Sequence, residues 1–338
     1  MLLDFFVVKR TNYPVQNRDK YLQDAAKIAK LYYYSDLTTQ QIAKELGVSR
    51  PTVSRLLNLA KKQGLVEIRV HDDQEQLLPM AEHIKTQFGL NAVHIVSVPE
   101  VLDEVIWLER VAKYTANHLN TVLKPHYTLG IAWGTTMSAI SEHLIPTNVY
   151  DLSIVQLNGS GNTFIYDNSY AATILKVFAD VYNARVYLLP VPTFFDHKET
   201  KEAMWREKSI RQIVQLQHKA EVLLYSIGAV SAGVPSHIHT GGYLEREDQE
   251  NLKRDKVIGD IATVFFRADG SWEDIKINSR ASGPNLTLFS KARTGICVVS
   301  GLAKAAGLLA ALRAGYMTEL IVDEPTARRA LELASENR

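Results

Sequence analysis

From residue 92 onward the chain alternates between two patterns. Short apolar runs at 92–96, 128–133, 152–157, 185–189, 222–227, 261–266, 296–299 and 320–322 are separated by stretches with helical spacing, among them 101–123, 136–144, 171–180, 209–219, 303–314 and 325–334. A helix-length crossover between successive strands permits parallel pairing, and near-continuous apolar runs read as strands covered on both faces. The pattern predicts a doubly wound α/β domain with helices on both sides of a mostly parallel sheet. Ligands of such sheets sit beyond the carboxyl ends of the strands, where loops meet helix starts. The chain has 338 residues, which leaves room for a second, smaller domain ahead of this one. Hydrophobic residues at 46% supply a real core and exclude disorder for most of the length.

The first 70 residues follow a different grammar. Residues 19–34 space Leu22, Ala25, Ala26, Ile28, Ala29 and Leu31 as one helical face. Thr38 and Gln41 form a capping box at the start of a second helix. Gly47 supplies the tight turn, Ser49 caps a third helix over 50–63, and Pro51 sits in its first turn, where a missing amide costs nothing. Residues 65–70 alternate as a strand. Ile42, Leu46, Val48, Val53, Leu56 and Leu57 are expected to form a mini-core. The third helix then turns Arg50, Thr52, Ser54, Arg55, Asn58 and Lys62 outward.

This is the grammar of a helix-turn-helix reading the major groove. Arg50 and Arg55 can pair with guanine, while Ser49, Pro51, Thr52 and Ser54, with Thr39 and Gln40 of the second helix, complete the contact surface. Lys61 and Lys62 suit phosphates, which position the protein and make binding salt-dependent. Charge agrees: residues 1–70 carry a net +6 and the remainder a net −5. A basic module joined to an acidic domain fits double-stranded DNA as partner.

The single cysteine, Cys297, forms no disulfide within the chain and no cysteine zinc site, and a reducing cytoplasm is expected. No apolar run reaches the about 18 residues of a membrane span. At the N-terminus, Asp4 interrupts the apolar run and the basic residues follow it, the reverse of a signal peptide. His237 and His239 share one side of an alternating segment but have no evident third ligand, so no metal and no cofactor are expected. Tyr32, Tyr33 and Tyr34 are expected to pack the first helix.

Three loops fall at the ligand edge of the predicted sheet. In 130–136 a strand ends, glycine turns the chain, and Thr135 and Thr136 open a helix, whose free amides make a phosphate cradle. No Walker lysine follows, so a nucleotide site is not expected. Residues 157–162 form a second, glycine-rich loop after a strand. In 300–304 a third strand ends, and Lys304 lies in the first turn of the next helix.

The segment 27–70, KIAKLYYYSDLTTQQIAKELGVSRPTVSRLLNLAKKQGLVEIRV, resembles the winged helix-turn-helix of the SorC family of sugar-binding bacterial transcriptional regulators, and the resemblance runs through the larger domain. It implies a small all-α winged helix-turn-helix domain plus a doubly wound α/β effector domain resembling sugar-phosphate isomerases. The implied division is an extension over 1–18, a DNA-binding domain over 19–73, and an effector and oligomerisation domain over 74–338. Carried across, Gly134, Thr135, Thr136 and Lys304 hold the phosphate of a phosphorylated sugar, and Asn158 and Gly159 line its pocket. Gly259-Asp260-Ile261 and Arg267-Ala268-Asp269-Gly270 match the family's acidic stretch, in which Asp269 is placed to bind sugar hydroxyls, and 320–327 matches the C-terminal signature. One departure stands at 301–303, where Gly301-Leu302-Ala303 replaces the two glycines usual before the lysine. The resemblance implies a regulator, not an enzyme, working as a homodimer or homotetramer. The alternative is an isomerase with an accessory DNA-binding module; Asp260 or Asp269 could nominally serve as its base, but no His or Glu joins either in a recognisable pair.

Overall fold

The computed structural model describes residues 15–35, 37–63, 65–66, 74–99, 103–160, 170–229, 238 and 242–336. The chain divides into two compact units, Met1–His71 and Asp72–Arg338.

In the first unit, α1 spans Val15–Tyr33, α2 Thr39–Leu46 and α3 Arg50–Lys62. The first helix therefore starts four residues inside the segment expected as an extension; residues 1–14 lie outside the described ones. The capping box forms: the Gln41 amide donates to Thr38 Oγ1 at 3.3 Å, and the Thr38 amide donates to Gln41 Oε1 at 2.9 Å. Gly47, at φ 64°, ends α2, and Ser49 caps α3 through the Thr52 amide. Ala25, Ile28 and Ala29 pack with Ile42, Ala43, Val53, Leu56, Leu57 and Ala60. Val48 does not join this core and stays 38% exposed, because the turn that ends α2 points it outward. Of the three tyrosines only Tyr33 packs against the core; Tyr32 and Tyr34 are exposed. Leu65 and Val66 form a bend, and the rest of the expected wing strand, 67–70, lies outside the described residues, as do His237 and His239.

The second unit opens with α4 (Gln74–Phe88), which starts three residues earlier than its apolar pattern and tolerates Pro79 within. Seven parallel strands follow: β1 Ala92–Val96, β2 Thr128–Ile131, β3 Ser153–Gln156, β4 Arg185–Tyr187, β5 Val222–Gly228, β8 Thr294–Val299 and β9 Glu319–Asp323, in the spatial order β1-β9-β8-β5-β2-β3-β4. Helices cover both faces. Alternate residues of each strand divide between two cores: Val222 and Leu224 of β5 face one, Leu223, Tyr225 and Ile227 the other. The first core is closed by α5 (Glu104–Val122), α6 (Thr135–Ser141) and α7 (Tyr170–Tyr182). The second is closed by α4 and by the helices Ala305–Arg313 and Glu324–Glu336.

One expected strand is two. Residues 261–266 fold as the end of β6 (Val257–Ile261) and the start of β7 (Val264–Arg267), an antiparallel hairpin hung from the end of β5. Its turn residues, Ala262 and Thr263, both have positive φ, 48° and 71°. That suits a tight hairpin turn, but without the Asn or Gly that normally marks one.

Strand order reverses between neighbouring β2 and β5: the chain runs outward through β3 and β4 on one side and through β8 and β9 on the other. A crevice at the carboxyl ends is expected there.

Candidate functional site

A pocket opens at that reversal. Its wall is built from the segment after β2 (132–137), Asn158 after β3, the end of β5 (226–228), Asp260, Ala262 and Thr263 of the hairpin, Ser300 and Lys304 beyond β8, and Glu104 at the start of α5. Gly134, at φ 152°, takes a backbone conformation that a side chain would oppose, and so lets the chain swing from β2 into α6. The first amides of α6 have no acceptor within the helix by virtue of position. Trp133 Nε1 donates to the carbonyls of Asn158 and Gly159 at 3.1 and 3.0 Å and ties the ends of β2 and β3 together.

Among the described residues, four buried side-chain atoms lack a hydrogen-bond partner: Asn158 Oδ1, Asp260 Oδ1, Thr263 Oγ1 and Ser300 Oγ. All four residues line this one pocket. Leaving a buried polar group unpaired costs about 1–3 kcal/mol. All four face one crevice, where a polar guest or ordered water can pair them.

Charge is concentrated there too. Lys304 is buried, and its ammonium reaches Thr136 Oγ1 at a long 3.5 Å. Burial pulls its pKa down, partly opposed by the neighbouring acids Asp260, Asp323 and Glu104. Burial pushes the Asp260 carboxyl up to about 6, against the pull of the Thr263 amide and of Lys304. The loop that carries Lys304 is fixed by the C-terminal signature: Asp323 Oδ2 and Thr326 Oγ1 accept from the Gly301 amide at 3.0 and 3.1 Å, and Glu104 Oε1 accepts from the Leu302 amide at 3.0 Å.

The expected site residues divide accordingly. Gly134, Thr135, Thr136, Asn158 and Lys304 meet in the pocket. Gly159 stands one residue behind the wall, its amide donating to Ser282 Oγ at 2.9 Å and its carbonyl accepting from Thr193 Oγ1 at 3.1 Å, so it supports Asn158 rather than lining the cavity. Asp269 is not brought there at all. It is exposed beyond the far end of β7, where its carboxylate accepts from the Ser271 amide and hydroxyl; those hydrogen bonds hold its pKa low. The hairpin acid that lines the pocket is Asp260, nine residues earlier on the other strand, and Glu104 of α5 joins it in the wall. Sequence reasoning placed Ser300 in a loop at the ligand edge without giving it a role, and missed Thr263 and Glu104 as wall residues; the threonine was hidden inside the supposed single strand. Cys297 is buried in the sheet.

On the first unit, α3 buries Val53, Leu56, Leu57 and Ala60 and exposes Arg50, Pro51, Ser54, Arg55, Asn58 and Lys61 on the opposite side. Ser49 Oγ and Thr52 Oγ1 are 2.8 Å apart, and Arg55 Nη2 donates to Thr52 Oγ1 at 3.4 Å, so the cap also aligns the arginine. Thr39 is half-buried and Gln40 exposed in the first turn of α2. The side chain of Lys62 lies outside the described ones.

Residues 72–332 match the family model described as "Putative sugar-binding domain", and residues 31–76 match the MarR family model. The chain is 33% identical over 306 residues to the deoxyribonucleoside regulator of Bacillus subtilis, covering 90% of this chain and 96% of that one. It is 27% identical to the sorbitol operon regulator of Klebsiella pneumoniae, again over 90% of this chain and 96% of the other. The crystal structure of the full-length sorbitol operon regulator SorC from Klebsiella pneumoniae superimposes with a TM-score of 0.70 at 26% identity, over 92% of this chain and 98% of that one.

Proposed function

The chain belongs to the SorC family of sugar-binding transcriptional regulators and is a DNA-binding regulator; from that premise we propose that a phosphorylated sugar, held over β2 and β5, controls operator binding by α3. The observation that carries this reading is the convergence of Asn158, Asp260, Thr263 and Ser300, each with an unpartnered oxygen, beside the buried Lys304. A sugar supplies hydroxyls that both donate and accept, which suits such a wall. A buried ammonium needs an anion, and a phosphate on the α6 amides of Thr135 and Thr136 satisfies it. The names of two relatives, for deoxyribonucleosides and for a sorbitol operon, support a polyhydroxylated effector.

The pocket binds and does not catalyse. Isomerisation needs a base beside the sugar carbon with its proton relay in place. The described lining holds no histidine, and Asp260, its fully buried acid, faces Lys304. A regulator that meets operator DNA works in the cytoplasm, and one helix-turn-helix reads one half-site, so at least two copies act together.

A thermal-shift screen of the full-length protein against phosphorylated sugars and their unphosphorylated counterparts tests the reading, because a ligand of the native state raises its apparent stability. One phosphorylated compound should raise Tm and, in a gel-shift assay, change operator affinity. Stabilisation by the unphosphorylated sugar alone, or turnover of the phosphorylated one, would overturn it.

A further inference from the structure

A second constellation lies at the β1 edge of the sheet. His94 projects from β1, Glu319 is the first residue of β9, and His118 lies in the last turns of α5. His94 Nε2 is 3.1 Å from Glu319 Oε1, and His118 Nε2 hydrogen-bonds the same oxygen. One ligand atom from each residue lies within 4.8 Å of the others. The site is distinct from the effector pocket: Glu319 opens its strand whereas the pocket lies past the strands' closing ends. His118 is also fourteen residues along α5 from the pocket's Glu104, roughly 21 Å of helix.

Two imidazoles converge on one carboxylate oxygen instead of spreading over both. That is the arrangement of ligands around a point. Tyr114 Oη lies 2.9 Å from His94 Nδ1. When Nε2 gives its lone pair to a metal, Nδ1 carries the proton and donates it to a partner, and such a partner fixes tautomer and ring orientation. Tyr114 is that partner, one helical turn before His118. The three side chains are 24%, 14% and 8% exposed for His94, His118 and Glu319, shielded yet open enough for an ion to enter.

We propose that His94, His118 and Glu319 bind one divalent transition-metal ion, with Tyr114 orienting His94. Two imidazole nitrogens and one carboxylate oxygen suit zinc and its neighbours; magnesium and calcium favour all-oxygen sets. Three protein ligands leave a fourth position for water. The ion would fasten α5 to the β1–β9 edge.

The test is binding of Zn²⁺ and Co²⁺ to the untagged, chelator-treated full-length protein. Calorimetry should give one Zn²⁺ per chain, Tm should rise with Zn²⁺ and not with Mg²⁺, and Co²⁺ should produce the visible absorption bands of a tetrahedral site. His94→Ala and His118→Ala should each lose the Co²⁺ bands and weaken Zn²⁺ binding at least a hundredfold. Tyr114→Phe, which keeps the ligands and the fold, should weaken it about tenfold. Absence of Zn²⁺ binding by the wild type, or the same stoichiometry and spectrum in the two histidine variants, would overturn the proposal.

Discussion

Asp260 is a titrating group of the pocket over β2 and β5, and its pH behaviour follows from burial. Its folded pKa, about 6, stands above the 3.8 of an ordinary aspartate. The native state therefore keeps a proton that the unfolded chain has released, and stability falls as pH rises from about 4 through 6. Above pH 6 the ionised, buried carboxylate imposes its full cost. Asp260→Asn should raise stability at pH 7.5 by on the order of 1–3 kcal/mol, with the gain gone at pH 4; denaturant unfolding at the two pH values reads it, and an equal effect at both would refute the assignment. On α3 the distinction is between reading and holding. Arg50→Ala and Arg55→Ala should each weaken operator binding by about 1–3 kcal/mol, at least one with relaxed base preference, whereas Lys61→Ala should weaken all sequences alike and flatten the salt slope. Fluorescence anisotropy across salt and operator variants separates these, and unchanged affinity in both arginine variants would move the reading helix elsewhere.

The β6–β7 hairpin supplies Asp260, Ala262 and Thr263 to the pocket. Its turn holds Ala262 and Thr263 at positive φ, a conformation costly for a β-branched residue, and so must be held by its surroundings. Gly283 is part of that clamp: a Cβ there would stand 1.9 Å from the Ala262 carbonyl oxygen and 3.0 Å from Thr263 Oγ1. Gly283→Ala must push the turn away, at a cost of about 1–3 kcal/mol, and should lower effector affinity together with Tm. A variant with wild-type calorimetric affinity would show that the hairpin does not shape the site. The same hairpin marks where sequence reading stopped. Caps and turns whose partners lie three or four residues apart, such as Thr38 with Gln41 or Ser49 with Thr52, were legible because they are local. So was the sheet, because continuous apolar runs separated by helical spacing admit few arrangements. The run 261–266 concealed its reversal because neither Ala262 nor Thr263 is a turn residue by composition; register then placed Asp260, not Asp269, at the pocket. His94, His118 and Glu319 were beyond reach for a simpler reason: only the pairing of β1 with β9 under α5 brings them together.

As a whole, the molecule couples a reader of DNA to a reader of sugar, and two consequences follow. Operator half-sites lie a helical turn or more apart, so the working species should be a dimer or tetramer; light scattering that gives a monomer at micromolar concentration would contradict this. The second consequence concerns the switch. Thr136 is buried, its hydroxyl donating to Ser226 Oγ at 3.2 Å and accepting from Lys304 at 3.5 Å, and Thr135 stands beside it at the first turn of α6. Replacing both threonines by valine removes two hydroxyls and nearly keeps the shape. Hydrogen bonds to a charged group are worth about 1.5–3 kcal/mol each, so the double variant Thr135→Val, Thr136→Val should lose on the order of a hundredfold or more in affinity for a phosphorylated effector. Its α3 is untouched, and operator affinity without effector should equal that of the wild type. A ligand shifts an equilibrium only through its different affinity for the two states. The variant should therefore ignore effector at the concentration that switches the wild type, yet respond when the concentration is raised by the same factor that the affinity has lost. A gel-shift titration of operator against effector measures both. Response at the wild-type concentration would place the phosphate elsewhere in the pocket, and loss of operator binding without effector would show that the two units are not independent.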